Sequence, residues 1–264
     1  MSSQEIWQFL RWGSPLGWIF SFILGACLGS FANVVIWRLP RGQSLIKPGS
    51  HCPMCAAPIP MRRNIPILSY FLLQGKAPCC GNPISTRYLL VELFCALVLA
   101  ALYLLEGWTL NFVFAGAWMI LLIILAAIDV EHYRLPNVLV GCGTVLSLLW
   151  MLVRPGQSWS AAGLGLLAGL VVGAIMLLTA RRVSGQWAGF GDFKLIAILG
   201  FAFGFGRFVI LILSAAFAAL LYGLLRRQQA AERRIPFGPF LAIGTWVAIC
   251  CGETAVRWYL GLLH

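Results

Sequence analysis

The sequence predicts an all-α polytopic membrane protein of about eight transmembrane helices with one small cysteine-bearing polar loop. Three observations predict it: 61% of the 264 residues are hydrophobic and only 10% are charged, the mean hydropathy is +0.89, and the apolar residues fall in long blocks separated by short basic segments. Soluble domains average about 25% charged residues, so this chain has too little polar surface to cover a water-facing globule. A bilayer-spanning helix needs roughly 20 mainly apolar residues. Backbone in lipid must satisfy its own hydrogen bonds, which makes helices the default.

The apolar blocks place spans at 15–37, 88–105, 109–128, 136–153, 160–180, 193–206, 207–225 and 237–260. The stretch 193–225 is nearly continuous and is divided only at Gly204, Phe205, Gly206 and Arg207. A single tilted helix competes there with two short ones, and the glycine-rich break favours two. Residues 1–14 contain Glu5 and Arg11 and run into a full-length span, so the first span reads as a retained anchor rather than a cleaved signal. Three regions result: residues 1–37, an N-terminal segment and first helix; 38–87, the polar loop; and 88–264, seven further helices.

Basic residues orient the chain, because cytoplasmic loops carry excess Lys and Arg. With the N-terminus outside, segments 38–87, 129–137, 181–194 and 226–236 face inward and hold fifteen of the nineteen Lys and Arg. Arg11, Arg154, Arg207 and Arg257 lie outside. Both termini are therefore expected on the outer side of the membrane. The net charge of +11 reflects positive-inside loops and anionic lipid headgroups. No basic domain with interleaved aromatics accompanies it, which argues against nucleic-acid binding.

The chain has two aspartates, Asp129 and Asp192, each at an expected cytoplasmic helix end. Ionisable groups beside membrane spans are costly to desolvate and are functional candidates by default. Asp192 lies in Gly189-Phe190-Gly191-Asp192-Phe193-Lys194-Leu195. Gly189 and Gly191 admit a close backbone approach that a Cβ would block, while an aspartate opening a helix also suits a capping role. Two carboxylates sharing a partly desolvated site hold one proton between them, so one acts as acid and the other as base on a water. Lys194 either acts electrostatically on Asp192 or adds one more inward positive charge. His132 and His264 are weaker candidates, and no GxSxG or HExxH pattern occurs.

The polar loop carries Cys52-Pro53-Met54-Cys55 and, further on, the adjacent pair Cys79 and Cys80. Cytoplasmic thiols are normally reduced, and this spacing reads as a zinc-ribbon-like metal site. Ala77 stands where a fourth regularly spaced ligand belongs. Cys79 and Cys80 both ligate, or His51 or water completes the set. Cys27, Cys95, Cys142, Cys250 and Cys251 fall in apolar spans and read as packing residues.

An ordered series of motifs resembles the bacterial type IV prepilin peptidases, also called leader peptidase/N-methyltransferases. It comprises Gly29 to Pro40, His51 to Cys55, Asn64 to Tyr70, Ile84 to Tyr88 with Val91 and Glu92, and Ile128-Asp129 with Leu135-Pro136. The Gly189 to Leu195 run and Ile235 to Ala242 complete the series. The resemblance implies an intramembrane aspartyl endopeptidase that cleaves the leader of type IV prepilins or type II secretion pseudopilins at the cytoplasmic membrane edge. It carries the catalytic pair onto Asp129 and Asp192. It further implies methylation of the new N-terminal residue from S-adenosylmethionine, an activity associated with the cysteine loop. Ala77-Pro78-Cys79-Cys80, Arg63 and Asn137 depart from the family pattern. A proton-relay transporter and a pilus or secretion assembly factor are the non-proteolytic alternatives.

Lesser features are legible too. Asn33 is expected to bond across helices or orient substrate backbone. Glu92 is expected to pair with Arg87, against the alternative of contacting a cofactor or a new amino terminus. Gly165, Gly169 and Gly173 recur every four residues on one helical face and point to close helix packing.

Overall fold

The computed structural model describes residues 14–153, 158–184, 189–225 and 236–261. Glu5, Arg11, Arg154 and His264, with the basic residues of 226–235, lie outside the described residues. Apart from two isolated bridges, the described residues hold only helices and turns. The chain is divided into two compact units, Met1–Gly116 and Ala117–His264.

In the first unit α1 (Pro15–Arg38) starts where its sequence directs: Ser14 accepts the Gly17 N–H at 2.9 Å, and Pro15 occupies the first turn. A loop follows, containing the short helix α2 (Leu68–Leu72). Then α3 (Thr86–Glu106) begins at a Ser85 cap and ends at Gly107, whose φ of 61° with ψ of −165° is a backbone conformation open to glycine. Helices α1 and α3 pack along their length. Contact is close because Gly25 and Gly29 face the α3 backbone; a Cβ on Gly25 would lie 2.4 Å from the Cys95 carbonyl oxygen. Asn33 Nδ2 donates to the Tyr88 carbonyl at 3.0 Å, the cross-helix bond expected of it.

Helix α4 (Leu110–His132) opens in the first unit and continues into the second. The second unit then contains α5 (Asn137–Val153), α6 (Trp159–Ser184), α7 (Phe190–Leu225) and α8 (Gly238–Gly261). Helix α7 packs against α5, α6 and α8. The glycine face of α6 is a packing face: a Cβ on Gly165 would lie 2.1 Å from the Gly200 carbonyl oxygen, and one on Gly169 would lie 2.8 Å from Ala197 Cα. Small residues thus let these two backbones touch.

Helix α7 is two helices joined at Gly204, whose φ of 71° and ψ of 165° are closed to other residues in practice. The break falls within the stretch the glycines mark in the sequence. Residues 190–203 rise only about 21 Å at 1.5 Å per residue, short of the roughly 30 Å hydrocarbon core. Arg207, just past the break, pairs with Glu253, as does Arg257.

Among the described residues six helices are long and apolar enough to cross a membrane, and Asn137–Val153 is a shorter apolar helix. Counting the two parts of α7 separately gives eight apolar helical segments among the described residues. Phe217, Leu213 and Leu220 are among many large apolar side chains left exposed, as a lipid-facing surface requires. The chain is an integral membrane protein.

Candidate active site and thiol cluster

The second unit brings the two aspartates together. Asp129 lies in the last turn of α4 and is 5% exposed. Asp192 lies in the first turn of α7, and its carboxylate is near enough to Asp129 for their charges to interact. Asp192 Oδ1 is buried without a hydrogen-bond partner.

Local sequence sets these positions. The chain leaves α4 through Tyr133, with φ of 52°, whose N–H bonds back to the Asp129 carbonyl at 2.8 Å. Leu135 then meets the glycine run: a Cβ on Gly191 would lie 2.8 Å from Leu135 Cβ. Gly189 leaves space for the carboxylate itself, since a Cβ there would lie 3.0 Å from Asp192 Oδ2. Lys194 does not turn to either aspartate. Its Nζ donates to Asn137 Oδ1 at 3.1 Å and lies 5.4 Å from the Phe190 ring centroid. His132 stands near Glu131 at 3.9 Å.

A further part of the site comes from the turn before α8. The Gly238 N–H donates to Asp129 Oδ2 at 2.8 Å, and the Phe237 N–H also bonds to this carboxylate. These two backbone donors escape a reading that looks for reactive side chains. The available signal was Pro236-Phe237-Gly238-Pro239, a rigid turn opening an apolar helix.

The thiol cluster belongs to the first unit. Cys52, Cys55, Cys79 and Cys80 place their sulfurs all within 4.8 Å of one another. A tetrahedral zinc with Zn–S of about 2.3 Å separates its sulfurs by about 3.8 Å; Cys52 and Cys80 are 3.8 Å apart and Cys55 and Cys79 3.3 Å. The N–H groups of Cys55 and Met54 bring the Cys52 thiol down to about 6. Contact with the Cys55 thiol, followed by desolvation, pushes Cys79 up to about 12. One thiolate therefore discourages the next, and a divalent cation would relieve that conflict. The donor set fits a metal ion.

Two equivalent turns build the cluster. Residues 51–59 and 76–84 correspond at an interval of 25, matching Pro53 to Pro78, Cys55 to Cys80 and Pro58 to Pro83. Bridges join His51 to Pro58 and Lys76 to Pro83. Ala56 and Gly81 both take positive φ, 57° and 71°. In this alignment Ala77 stands opposite Cys52, and Cys79, from the exposed tip, supplies the fourth sulfur. His51 instead places Nδ1 3.0 Å from the Gly49 carbonyl oxygen.

Glu92 does not take the role expected of it. Its Oε2 accepts the Ile67 N–H at 2.7 Å, with a second hydrogen bond to the Ser30 side chain. The Arg87 guanidinium instead lies 4.9 Å from the Tyr88 ring centroid.

Fold and sites together define an integral membrane protein with two interacting aspartates in one unit and a four-thiol cluster in the other. Residues 23–105 match the model for the bacterial peptidase A24 N-terminal domain, and residues 116–224 match that for the type IV leader peptidase family. The chain is 34% identical to the prepilin leader peptidase/N-methyltransferase of Aeromonas hydrophila, over 90% of this chain and 92% of the relative. It is 35% identical to that of Pseudomonas aeruginosa (93% and 94% covered) and 32% identical to that of Bacillus subtilis (90% and 96% covered). The chain belongs to the type IV leader peptidase family. No solved structure matches it.

Proposed function

We propose that this chain cleaves the leader peptide of type IV prepilins or type II secretion pseudopilins and then N-methylates the new amino terminus, with Asp129 and Asp192 as the catalytic pair. The observation that carries the peptidase reading is the electrostatic contact of two carboxylates at facing helix ends, the buried Asp129 held by the Gly238 N–H and the half-buried Asp192 with one buried oxygen that has no hydrogen-bond partner. Two carboxylates that share one site hold a single proton between them. The unprotonated one takes a proton from water as its oxygen attacks the scissile carbonyl, and the protonated one hydrogen-bonds the carbonyl oxygen. Collapse of the tetrahedral species breaks the C–N bond, and the proton passes to the leaving amine. Gly189 and Gly191 leave room for an extended substrate backbone, and Lys194 borders that approach.

The basic loops support a site at the cytoplasmic face of the inner membrane, with both termini periplasmic. Lipids cover the apolar faces, and the substrate's own apolar helix enters among the spans. Cys52, Cys55, Cys79 and Cys80 would hold a structural zinc that fixes a loop too small to bury a core of its own. S-adenosylmethionine supplies an electrophilic methyl group when bound. The relatives' N-methyltransferase name supports this second activity.

The test is cleavage of a purified prepilin in detergent, read as a leader-length mass loss. Wild type is expected to cleave, and Asp129→Asn and Asp192→Asn to lose at least about 1,000-fold in rate, beyond the 100- to 10,000-fold range's lower end for a single acid–base group. Undiminished cleavage by either variant would remove the paired-carboxylate mechanism.

A further inference from the structure

The first unit contains a second polar site, separate from the thiols. A cavity of about 400 Å³ is lined by residues that include Asn33, Trp37, Arg38, His51, Tyr88 and Glu92. That size lies within the range of small-molecule pockets. Its polar chemistry is unbalanced toward acceptors. Asn33 is 2% exposed, its Nδ2 is committed to the Tyr88 carbonyl, and its Oδ1 is buried with no partner. Glu92 is 9% exposed, and its hydrogen bonds come from one backbone N–H and one hydroxyl.

The one buried cation on the lining is otherwise engaged. Arg38 donates to the Ser44 and Gly49 carbonyls at 3.1 and 2.9 Å, which fastens the loop wall to the end of α1. Among the described residues no ion pair joins Glu92 to a basic side chain. A buried carboxylate is normally paired, and a buried amide oxygen normally accepts a hydrogen bond. Native structures keep such groups unpaired where a ligand completes them.

The backbone facing this pair is strained. Ile67 adopts φ of 64°, a conformation a β-branched residue takes only under constraint. Its N–H is the one that Glu92 holds. One Glu92 contact therefore fixes the loop segment beside the cavity, and the rest of the carboxylate remains for a ligand.

We propose that this cavity binds an ammonium group, with the Glu92 carboxylate and Asn33 Oδ1 as its acceptors. The inference rests on the methyl-transfer reading above for its two sources: the α-ammonium of an S-adenosyl donor, or the free amino terminus of a processed polypeptide. Both present the same N–H donors and positive charge.

Equilibrium binding to the full-length protein in detergent separates the sources. In the donor arm, S-adenosylhomocysteine is compared with 5′-methylthioadenosine, which lacks the amino-acid end. In the polypeptide arm, a peptide with a free N-terminal Phe is compared with its N-acetylated form. The expected result is that the amine-bearing ligand of one arm binds at least tenfold tighter than its amine-free counterpart. Glu92→Gln should erase that difference without changing affinity for the counterpart. Loss in the donor arm alone identifies the donor, and loss in the peptide arm alone identifies the processed terminus. If Glu92→Gln does not fold, the wild-type comparisons still decide: no preference for the amine in either arm overturns the proposal. Retention of the full preference by folded Glu92→Gln overturns it as well. Methyl transfer by wild type is measured alongside. Transfer without amine preference sinks the cavity assignment alone; amine preference without transfer sinks the methyl-transfer reading and leaves the cavity site standing.

Discussion

The Gly238 N–H reaches Asp129 Oδ2 at 2.8 Å across 109 residues of sequence, so the turn before α8 holds one carboxylate of the pair in place. A Cβ at position 238 would lie 3.1 Å from that oxygen and 3.3 Å from Ala126 Cα. Gly238→Ala must therefore push the turn away from α4 or displace the carboxylate. A hydrogen bond to a charged group is worth about 1.5–3 kcal/mol, which corresponds to roughly a 10- to 100-fold loss of kcat/KM in leader cleavage. Steady-state kinetics with a purified prepilin check this. Wild-type kcat/KM in a folded Gly238→Ala protein would show that the contact does not support hydrolysis.

Lys194 is expected to matter little for hydrolysis. Its ammonium is 3.1 Å from Asn137 Oδ1, and among the described residues no ion pair joins it to Asp192. Removing a partly exposed contact of this kind costs at most about 1 kcal/mol, so Lys194→Met should lower cleavage less than about fivefold. Asn137→Asp supplies an anionic partner at the same place and should keep cleavage near wild type. A hundredfold loss in Lys194→Met would mean that the ammonium acts on the aspartate pair after all.

The two thiol turns predict a ligand exchange. Cys79 supplies the fourth sulfur from the tip of the second turn, whereas the first turn supplies its counterpart from the position matching Ala77. Cys79→Ala should weaken metal retention at least about tenfold, since three thiolates remain of a four-ligand closed site. Adding Ala77→Cys to that variant should restore it. Zinc content after dialysis against a chelator, with cleavage recorded in parallel, checks both variants. Full retention by Cys79→Ala alone would mean that another ligand completes the site, and failure of the double variant to recover would break the equivalence of the turns.

The sequence made the spans, both aspartates and all four thiols legible, because each rests on a strong local signal: long apolar blocks, charges at their ends, and closely spaced cysteines. The glycine break was legible for the same reason, since only glycine readily adopts the backbone found at Gly204. Backbone contributions were not. The Gly238 and Phe237 N–H groups reach Asp129 only through tertiary packing, and any residue but proline carries such a donor. Glu92 was misassigned because Arg87 is a near neighbour in sequence, while its actual partner, the Ile67 N–H, depends on the path of a loop 25 residues away. Asn137 reads as a departure from the family pattern, yet its amide oxygen still accepts from Lys194.

Close packing of α6 on the first half of α7 supports the Asp192 end of the site, and it can be tested without touching a polar residue. A Cβ on Gly165 would lie 2.1 Å from the Gly200 carbonyl oxygen, and backbone cannot move aside as a flexible side chain can. Gly165→Ala must separate the helices, at a cost of about 1–3 kcal/mol for overpacking. Gly141 is the internal control, because a Cβ there meets nothing within 4 Å and alanine is the better helix former. Thermal unfolding in detergent should show Gly165→Ala melting several degrees below wild type, at roughly 2–4 °C per kcal/mol for a chain of this size. Gly141→Ala should melt at or slightly above wild type. Cleavage should fall in the first variant and persist in the second, because α7 carries Asp192 on its first turn. Equal melting of the two variants would show that the helices reach this contact with slack to spare, and the glycine face would lose its role in positioning the carboxylate.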